Sequence, residues 1–574
     1  MGGLRKRKKY VADFETTTDL NDCRVWAYGF MEIGNKKNYR IGNNMDDFMG
    51  WLTLNNIDVY FHNLKFDGSF IVNYLLHNGW ICNNSGQYGT FDVTISNMNQ
   101  WYKIDITTGY KYGRRQYTTI YDSLKKLPFT VERIGKAFDL GSLKVDVDEE
   151  FYRRYRPIGH EITDEEKSYI YSDLEVMADA LEIQFNNGLL KMTIGSDSLT
   201  DFKAILGGNK QYRRLFPEVT LEMNENLRKA YKGGFTWLNK RFQEKDIEKG
   251  MVFDVNSLYP FVMYSRKMPF GTPIPFEGEY IQDNEYPLYI IHIRCSFIIK
   301  DGYIPTIQIK NKEQRLLFKY NEYIETTKGE IVDLYLTNVD YELFKEHYYI
   351  DDLEILEGWK FKAKDGLFKK FIEKWSYIKA TSTGAKRELA KLMLNSLYGK
   401  FCKNPNITGK KPFLKPDGSN VFRLEDEEQF SSPEYTPVGT FITAYAREYT
   451  IRTAQSVYDR IIYCDTDSIH ITGTNIPESI EHLIDKNKLG YWDYETTFVR
   501  ARYLRQKSYC QDILMDDGTT YFKVTCAGMP DKVKENVTFD NFKIGFKSYG
   551  KLMPKQVKGG VVLVDSEFTI KEGV

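Results

Sequence analysis

The chain has 574 residues, 42% hydrophobic and 28% charged, an ordinary globular mixture too long for a single core. Lys plus Arg and Asp plus Glu each total 79, so bulk charge gives no argument for a polyanionic partner. Seven scattered cysteines without a C-x-x-C argue against structural zinc or a disulfide framework, and no run approaches the ~20 apolar residues of a membrane span. The expectation is a soluble, intracellular, multidomain protein mixing α/β and α+β parts, with no membrane partner.

In chain order, residues 1–190 read as α/β. "YVADFETTT" (Tyr10–Thr18) is a strand on which Asp13 and Glu15 share one face. "HNLKFDGSF" (His62–Phe70) supplies Asp67, with Phe66 and Phe70 able either to stack on bases or to pack a core. "LKVDVD" (Leu143–Asp148) sets Lys144 and Asp146 on one face by strand spacing. "DEEKSYIYSDLEVMADALEIQFNNG" has helical periodicity, places Tyr169 one turn before Asp173, and stops at Asn-Gly.

"GMVFDVNSLYP" (Gly250–Pro260) is a strand and turn, and residues 270–360 read as many short strands. Residues 366–400 are helical with a break at Thr-Ser-Thr-Gly, and Cys402–Pro437 reads as a hairpin-like insertion. A helix over Thr440–Arg460 leads into "IIYCDTDSIHI" (Ile461–Ile471), read as one buried strand, and the C-terminus is β-like.

Asp465 and Asp467 interrupt that apolar strand. On a strand both point to one face, and paired buried carboxylates repel unless a cation lies between them. Oxygen-only ligands favour Mg²⁺ or Mn²⁺ over zinc. Asp254 likewise interrupts an apolar run. Between these segments lies "KRELAKLMLNSLYGK", whose Arg387, Lys391, Asn395 and Tyr398 share a helical face suited to a triphosphate and its base. The three elements together describe metal-assisted nucleotidyl or phosphoryl transfer.

"DVNSLYP" (Asp254–Pro260), "KLMLNSLYG" (Lys391–Gly399) and "YCDTDS" (Tyr463–Ser468) resemble, in form and order, the three polymerase motifs of family B DNA polymerases. "RKAYKGGFTWLNKRF" and "YDRIIYCDTDSIH" carry the resemblance to the protein-primed branch of small Bacillus phages with linear genomes, the phi29 type, over Tyr10–Ile570.

The resemblance implies a 3′–5′ exonuclease domain of RNase H-like fold at residues 1–190 and a right-hand polymerase. Its parts would be palm at 191–269 and 436–526, fingers at 362–401 and thumb at 527–574. Insertions at 270–361 and 402–435 would face a priming protein and support processive strand displacement, respectively. Asp254, Val255 and Asp467 would hold two Mg²⁺ ions, Mn²⁺ being a possible substitute, with Asp465 supporting. Tyr259 would pack under the incoming sugar and exclude a 2′-hydroxyl. Lys379, Lys391 and Arg387 would bind the triphosphate, with Arg387 standing where the family pattern has Lys; Tyr398 would wall the pocket beside Asn395. Lys507 and Tyr509 would support the primer end. Thr443 and Arg447, with Tyr231, Gly233 and Gly234, would hold template and primer backbone, the paired glycines letting the main chain approach DNA.

For the exonuclease, the resemblance implies metal binding by Asp13, Glu15, Asp67 and Asp173, with Asp146 as a further ligand. Tyr169 would orient the attacking water and Lys144 would contact the scissile phosphate. Asn63, Phe66, Phe70, Ser123 and Leu124 would hold a single-stranded 3′ end. Departures from the family pattern lie in a shortened segment after Tyr509 and in the tail "MGGLRKRKK". Partners would be primer-template DNA, dNTPs and a terminal protein in a heterodimer, in the cytoplasm of an infected bacterial host. Two other readings stay open on the residues alone. A nuclease with an idle polymerase site would digest 3′ ends without extending them. A silent DNA-end scaffold would need no divalent metal.

Overall fold

The computed structural model describes residues 7–145, 147–309 and 322–572. The N-terminal part is an eight-stranded mixed sheet. Within it β1 (Lys9–Thr16) lies between Val25–Glu32, antiparallel, and Asp58–Phe61, parallel. Central placement buries alternate residues of β1 and leaves Asp13 and Glu15 half-buried on the opposite face, as the strand spacing implies. Two of the helices that pack on this sheet carry site residues. Helix α1 (Leu64–His77) starts at Asn63, which adopts a left-handed conformation at φ 69°. Helix α2 (Asp164–Asn186) starts at a complete capping box in which the Thr163 side chain accepts the Glu166 N–H and Glu166 reaches back to the Thr163 N–H.

A second eight-stranded sheet is built from residues beyond the N-terminal part. Its central strand β2 (Gly250–Val255) is flanked by two antiparallel neighbours. Helices α3 (Gly384–Phe401) and α4 (Thr436–Ser456) lie beside it; the first is separated from Lys369–Thr381 at the Ser-Thr-Gly break the sequence shows. The neighbours of β2 are β4 (Ser468–Thr472), which pairs in turn with β3 (Ile461–Asp465), and β5 (Trp492–Arg505), which pairs with β6 (Ser508–Leu514).

Three expectations are corrected. The segment Ile461–Ile471 is not one strand but a tight hairpin, with Thr466 at φ 58° in its turn. The buried α4 spans Thr436–Ser456 and not Thr440–Arg460, because Pro437 pre-sets its first turn and the chain turns over Val457–Arg460. Residues 270–360 form few, long strands: Met268–Glu277, Leu288–Ile299 and the 17-residue Tyr348–Lys364, joined by Val332–Thr337 and a helix, Asn338–His347. Interruptions read as turns are bulges within long pairings.

The expected hairpin insertion is present, with Lys410–Leu414 paired to Asn420–Leu424. A longer C-terminal hairpin pairs Lys547–Val557 with Gly560–Thr569. Neither stands alone. Val561 and Val562 join the hydrophobic core of the N-terminal part, and Phe422 packs edge-on against Trp101 at 5.2 Å.

Candidate active sites

The first site is built where β2 ends beside the β3–β4 hairpin. Asp254 is opposite Ser468 on one side and Asp493 on the other. The Val255 N–H donates to the Asp467 carbonyl at 2.7 Å, and the Thr466 N–H to the Phe235 carbonyl at 2.6 Å. Among the described residues no cation pairs with Asp254 or Asp467. Burial, and then the charges of Asp467, Glu495 and Asp493, push the Asp254 carboxyl up to about 8; burial likewise raises Asp467.

Asp465 is different. It accepts from Thr236 at 3.0 Å, Tyr463 at 3.0 Å and Lys507 at 3.1 Å, so its lone pairs are already engaged and it supports the hairpin. The side chain of Val255 is buried, which leaves only its main chain to meet a ligand. Lys507 sits in the β5–β6 turn at φ 56°, and half-buried Tyr509 packs on Tyr463 at 5.5 Å. Ser257, just beyond Asp254, also has positive φ, 59°. Four residues in the two candidate sites, Asn63, Ser257, Thr466 and Lys507, thus hold a backbone conformation costing about 1–3 kcal/mol each.

Helix α3 places its polar face over this centre. Tyr398 packs against Tyr259 with ring centroids 4.2 Å apart and the ring planes tilted by 31°. Lys379 Nζ lies 3.4 Å from Asn256 Oδ1 and 3.3 Å from Ser257 Oγ, and burial, then Arg387 and Lys391, lower its pKa. Three mutually repelling cations at the mouth of an acidic site describe a polyanion receptor. Lys391 meanwhile pairs with Glu388 at 2.6 Å, and Asn395 is exposed.

The backbone-holding residues need correction. Arg447 is 1% exposed and forks onto Asp340 at 2.8 Å while donating to the Lys232 and Gly233 carbonyls at 3.0 and 2.8 Å. Thr443 is buried too, bonded within α4. Arg447 therefore shapes the Tyr231–Gly234 segment from beneath, and neither residue presents a side chain to solvent. Gly234 is required by Thr466, whose Oγ1 would lie 2.5 Å from an added Cβ; Gly233 faces open space. Tyr231 is half-buried beside it.

The second site gathers Asp13 and Glu15 from β1, Asp67 from the first turn of α1, and Tyr169 and Asp173 from α2. All but Asp67 line a cavity of about 260 Å³ with Lys144 and His62. Burial and the neighbouring Asp173 push Asp13 up to about 7; burial also raises Glu15 and Asp67 far above the carboxylate range. Lys144 donates to Asp173 Oδ2 at 2.7 Å and to Tyr169 at 2.9 Å. Asp173 Oδ1 is buried without a hydrogen-bond partner.

Among the single-strand candidates, Phe66 is half-buried and Asn63 exposed at a larger cavity, but Phe70 is 2% exposed and belongs to the core. Ser123 is buried and donates to the Phe61 carbonyl at 2.9 Å. The half-buried Leu124 and exposed Asn63 both give their N–H to Asp122 at 3.1 Å. Asp146 lies outside the described residues. Three contributors were not anticipated: His62, bonded to Ser123 at 3.0 Å; Tyr152, bonded to Tyr169 at 3.0 Å; and Asp122. His62 was legible as the polar residue that ends the apolar run "VYF"; Tyr152 carried no local signal.

Comparison with known proteins bears on these centres. Residues 51–485 match the family described as DNA polymerase type B, organellar and viral. The chain belongs to this family. The DNA polymerase of Bacillus phage M2 is 58% identical over 98% of this chain and 100% of its own. That of Bacillus phage phi29 is 56% identical over 98% and 99%, and that of Streptococcus phage Cp-1 33% identical over 98% of each. The solved phi29 DNA polymerase complexed with primer-template DNA and incoming nucleotide substrates superposes with a TM-score of 0.94 at 56% identity, covering 98% of this chain and 100% of that one.

This type B polymerase therefore has the multidomain α/β architecture expected, and it is a DNA polymerase of the phi29 type. No helix among the described residues is long and apolar enough to cross a membrane. Type B polymerases use divalent cations, and the donors fit. Asp254 and Asp467 are uncompensated, Asp173 Oδ1 lacks a partner, and all are hard oxygen ligands. Among the described residues no three such side chains converge into a closed cage.

Proposed function

We propose that this polymerase extends a primer 3′-hydroxyl in a processive, strand-displacing manner, starts chains on a hydroxyl of a terminal protein, and proofreads with a separate 3′–5′ exonuclease. The observation that supports two activities is the presence of two unlike carboxylate centres on two sheets, in each of which burial and neighbouring acids outweigh the nearby cations and raise a carboxyl. Primer-template DNA and single-stranded 3′ ends are the proposed ligands; the solved phi29 DNA polymerase forms complexes with primer-template DNA and with single-stranded DNA.

In the polymerase centre, Asp254 and Asp467 would hold two Mg²⁺ ions with the main chain of Val255. Bound metal supplies activation of the attacking oxygen and stabilisation of the pyrophosphate leaving group. Lys379, Arg387 and Lys391 neutralise and orient the triphosphate. The tilted Tyr259–Tyr398 ring pair would form the floor for the sugar and base, with Tyr259 excluding a 2′-hydroxyl. Lys507, held by Asp465, steadies the primer end.

In the exonuclease centre, Asp13, Glu15, Asp67 and Asp173 would hold the metal, with Asp146 as a further candidate. Tyr169 orients the attacking water through its hydroxyl. Lys144, already poised between Tyr169 and Asp173, meets the scissile phosphate. The proposed modules are those named from the sequence: exonuclease 1–190, palm 191–269 and 436–526, fingers 362–401, thumb 527–574, and insertions 270–361 and 402–435. The proposed setting is the cytoplasm of an infected bacterial host.

The test separates the centres. Wild type, Asp467→Asn and Asp13→Ala are given a 5′-labelled primer-template with Mg²⁺, with and without dNTPs. Asp467→Asn should shorten primers without extending them, and Asp13→Ala should extend without shortening. Loss of both activities in both variants would mean one shared centre and end the reading.

A further inference from the structure

Asn73 lies in the C-terminal half of α1, 3% exposed, with its side-chain amide engaged by two hairpins. Its Nδ2 donates to the Gly418 carbonyl at 3.1 Å and to Asn420 Oδ1 at 3.0 Å, both at the tip of the 410–424 hairpin. Its Oδ1 accepts the Gly559 N–H at 3.0 Å, at the tip of the C-terminal hairpin. The surrounding bonds close the junction. Asn420 donates to the Ser69 carbonyl at 3.1 Å, Gln556 to the Ser69 hydroxyl at 3.2 Å, and the two tips bridge each other at Ser419 and Lys558.

Glycine makes this approach possible. Gly559 has φ +97°, and a Cβ there would lie 2.0 Å from the Cys23 carbonyl oxygen. A Cβ on Gly560 would lie 2.4 Å from the Phe70 ring. A two-stranded hairpin is marginal by itself, so its position comes from what it docks on. Here both tips dock on the helix whose first turn carries Asp67. Alongside runs a cavity of about 760 Å³ lined by Lys65, Phe66, Lys410, Lys415, Phe422 and Lys555. Four cations with two rings suit a single nucleic-acid strand.

We propose that Asn73 is a positioning residue for processive synthesis: it clasps both hairpin tips to α1 and keeps the basic, aromatic passage closed around a DNA strand. This rests on the strand-displacing reading above. Truncating the amide leaves the buried Asn420 Oδ1 and the half-buried Gly559 N–H and Gly418 carbonyl without their partner, so the clasp opens more often while the proposed polymerase centre is untouched.

The experiment uses the full chain and three variants: Asn73→Ala, Asn73→Asp, and Gly560→Ala, which pushes the tip away without altering Asn73. Each is scored for single-nucleotide incorporation and for product length on a primed single-stranded circle, with excess trap DNA added so that each product reports one binding event. Asn73→Ala and Gly560→Ala should shorten products about tenfold while leaving incorporation within about twofold of wild type. Asn73→Asp, which keeps the acceptor for Gly559 but loses the donors, should fall between. Wild-type product lengths from both Asn73→Ala and Gly560→Ala would overturn the clasp. So would shortening matched by an equal loss of incorporation and a lowered Tm, which would mean general damage. A wild type that stops after one turn of the circle would count against strand displacement alone, and the clasp is then judged on lengths within that turn.

Discussion

The Val255 N–H donates to the Asp467 carbonyl at 2.7 Å, and this bond fixes the two acid-bearing turns of the polymerase centre against each other. The carboxylates therefore cannot relax apart when uncompensated. Their repulsion is built into the backbone, and removing one charge should relieve it.

Asp467→Asn and Asp254→Asn should each lower primer extension by at least ~100-fold, since even indirect metal partners cost 10–100-fold. Their Tm without metal should equal or exceed that of wild type. Mg²⁺ should raise the Tm of wild type more than that of either variant, because a ligand stabilises only the state that binds it. Thermal scans with and without Mg²⁺ check this.

The Tyr259–Tyr398 ring pair, with centroids 4.2 Å apart, is the proposed floor for the sugar. Tyr259→Val should raise ribonucleotide over deoxynucleotide incorporation by ~10-fold or more, the scale of one removed steric contact. Paired kcat/KM measurements with dNTP and rNTP give the ratio. An unchanged ratio would remove Tyr259 from sugar selection.

Lys144 bonds to both Tyr169 and Asp173. Lys144→Ala should reduce digestion of single-stranded 3′ ends by ~100-fold or more, the cost of one transition-state donor, and leave extension rates unchanged. Digestion of a labelled oligonucleotide beside an extension assay measures both.

Glu166 caps α2, the helix that carries Tyr169 and Asp173. Burial alone would raise its pKa, but the Thr163 N–H, His160 and Arg156 outweigh burial and hold it at about 2. The folded value lies below the ~4.3 of an unfolded Glu, so its stabilisation is complete above that pH and is lost as pH falls towards about 2. Glu166→Gln should flatten the Tm profile in this window. An unchanged acid limb would contradict the assignment.

Arg447 and Asp340 form a buried, forked ion pair beneath the Tyr231–Gly234 segment. Arg447→Met should cost about 3–5 kcal/mol, because it strands a buried carboxylate. Denaturant unfolding reads the loss. A variant of normal stability that binds DNA poorly would restore the direct contact role.

The acids were legible because Asp inside an apolar run is costly and therefore informative, as at Asp254, Asp13 and Asp467. The hairpin at Thr466 was not, because "CDTDS" lacks the glycine that usually marks a two-residue turn. Periodicity placed Arg387, Lys391 and Tyr398 on one face of α3. It could not show that Arg447 turns inward, since that depends on Asp340, 107 residues away. Phe66 and Phe70 are one helical turn apart, and only the docked C-terminal hairpin decides that Phe70 is core.

The most direct single measurement is extension of one primer on a single-stranded circle with Mg²⁺ and four dNTPs. Products longer than one full turn, abolished in Asp467→Asn, are expected. Primers that only shorten, across Mg²⁺ and Mn²⁺ and at saturating dNTP, would contradict the assignment of the Asp254–Asp467 centre to DNA synthesis.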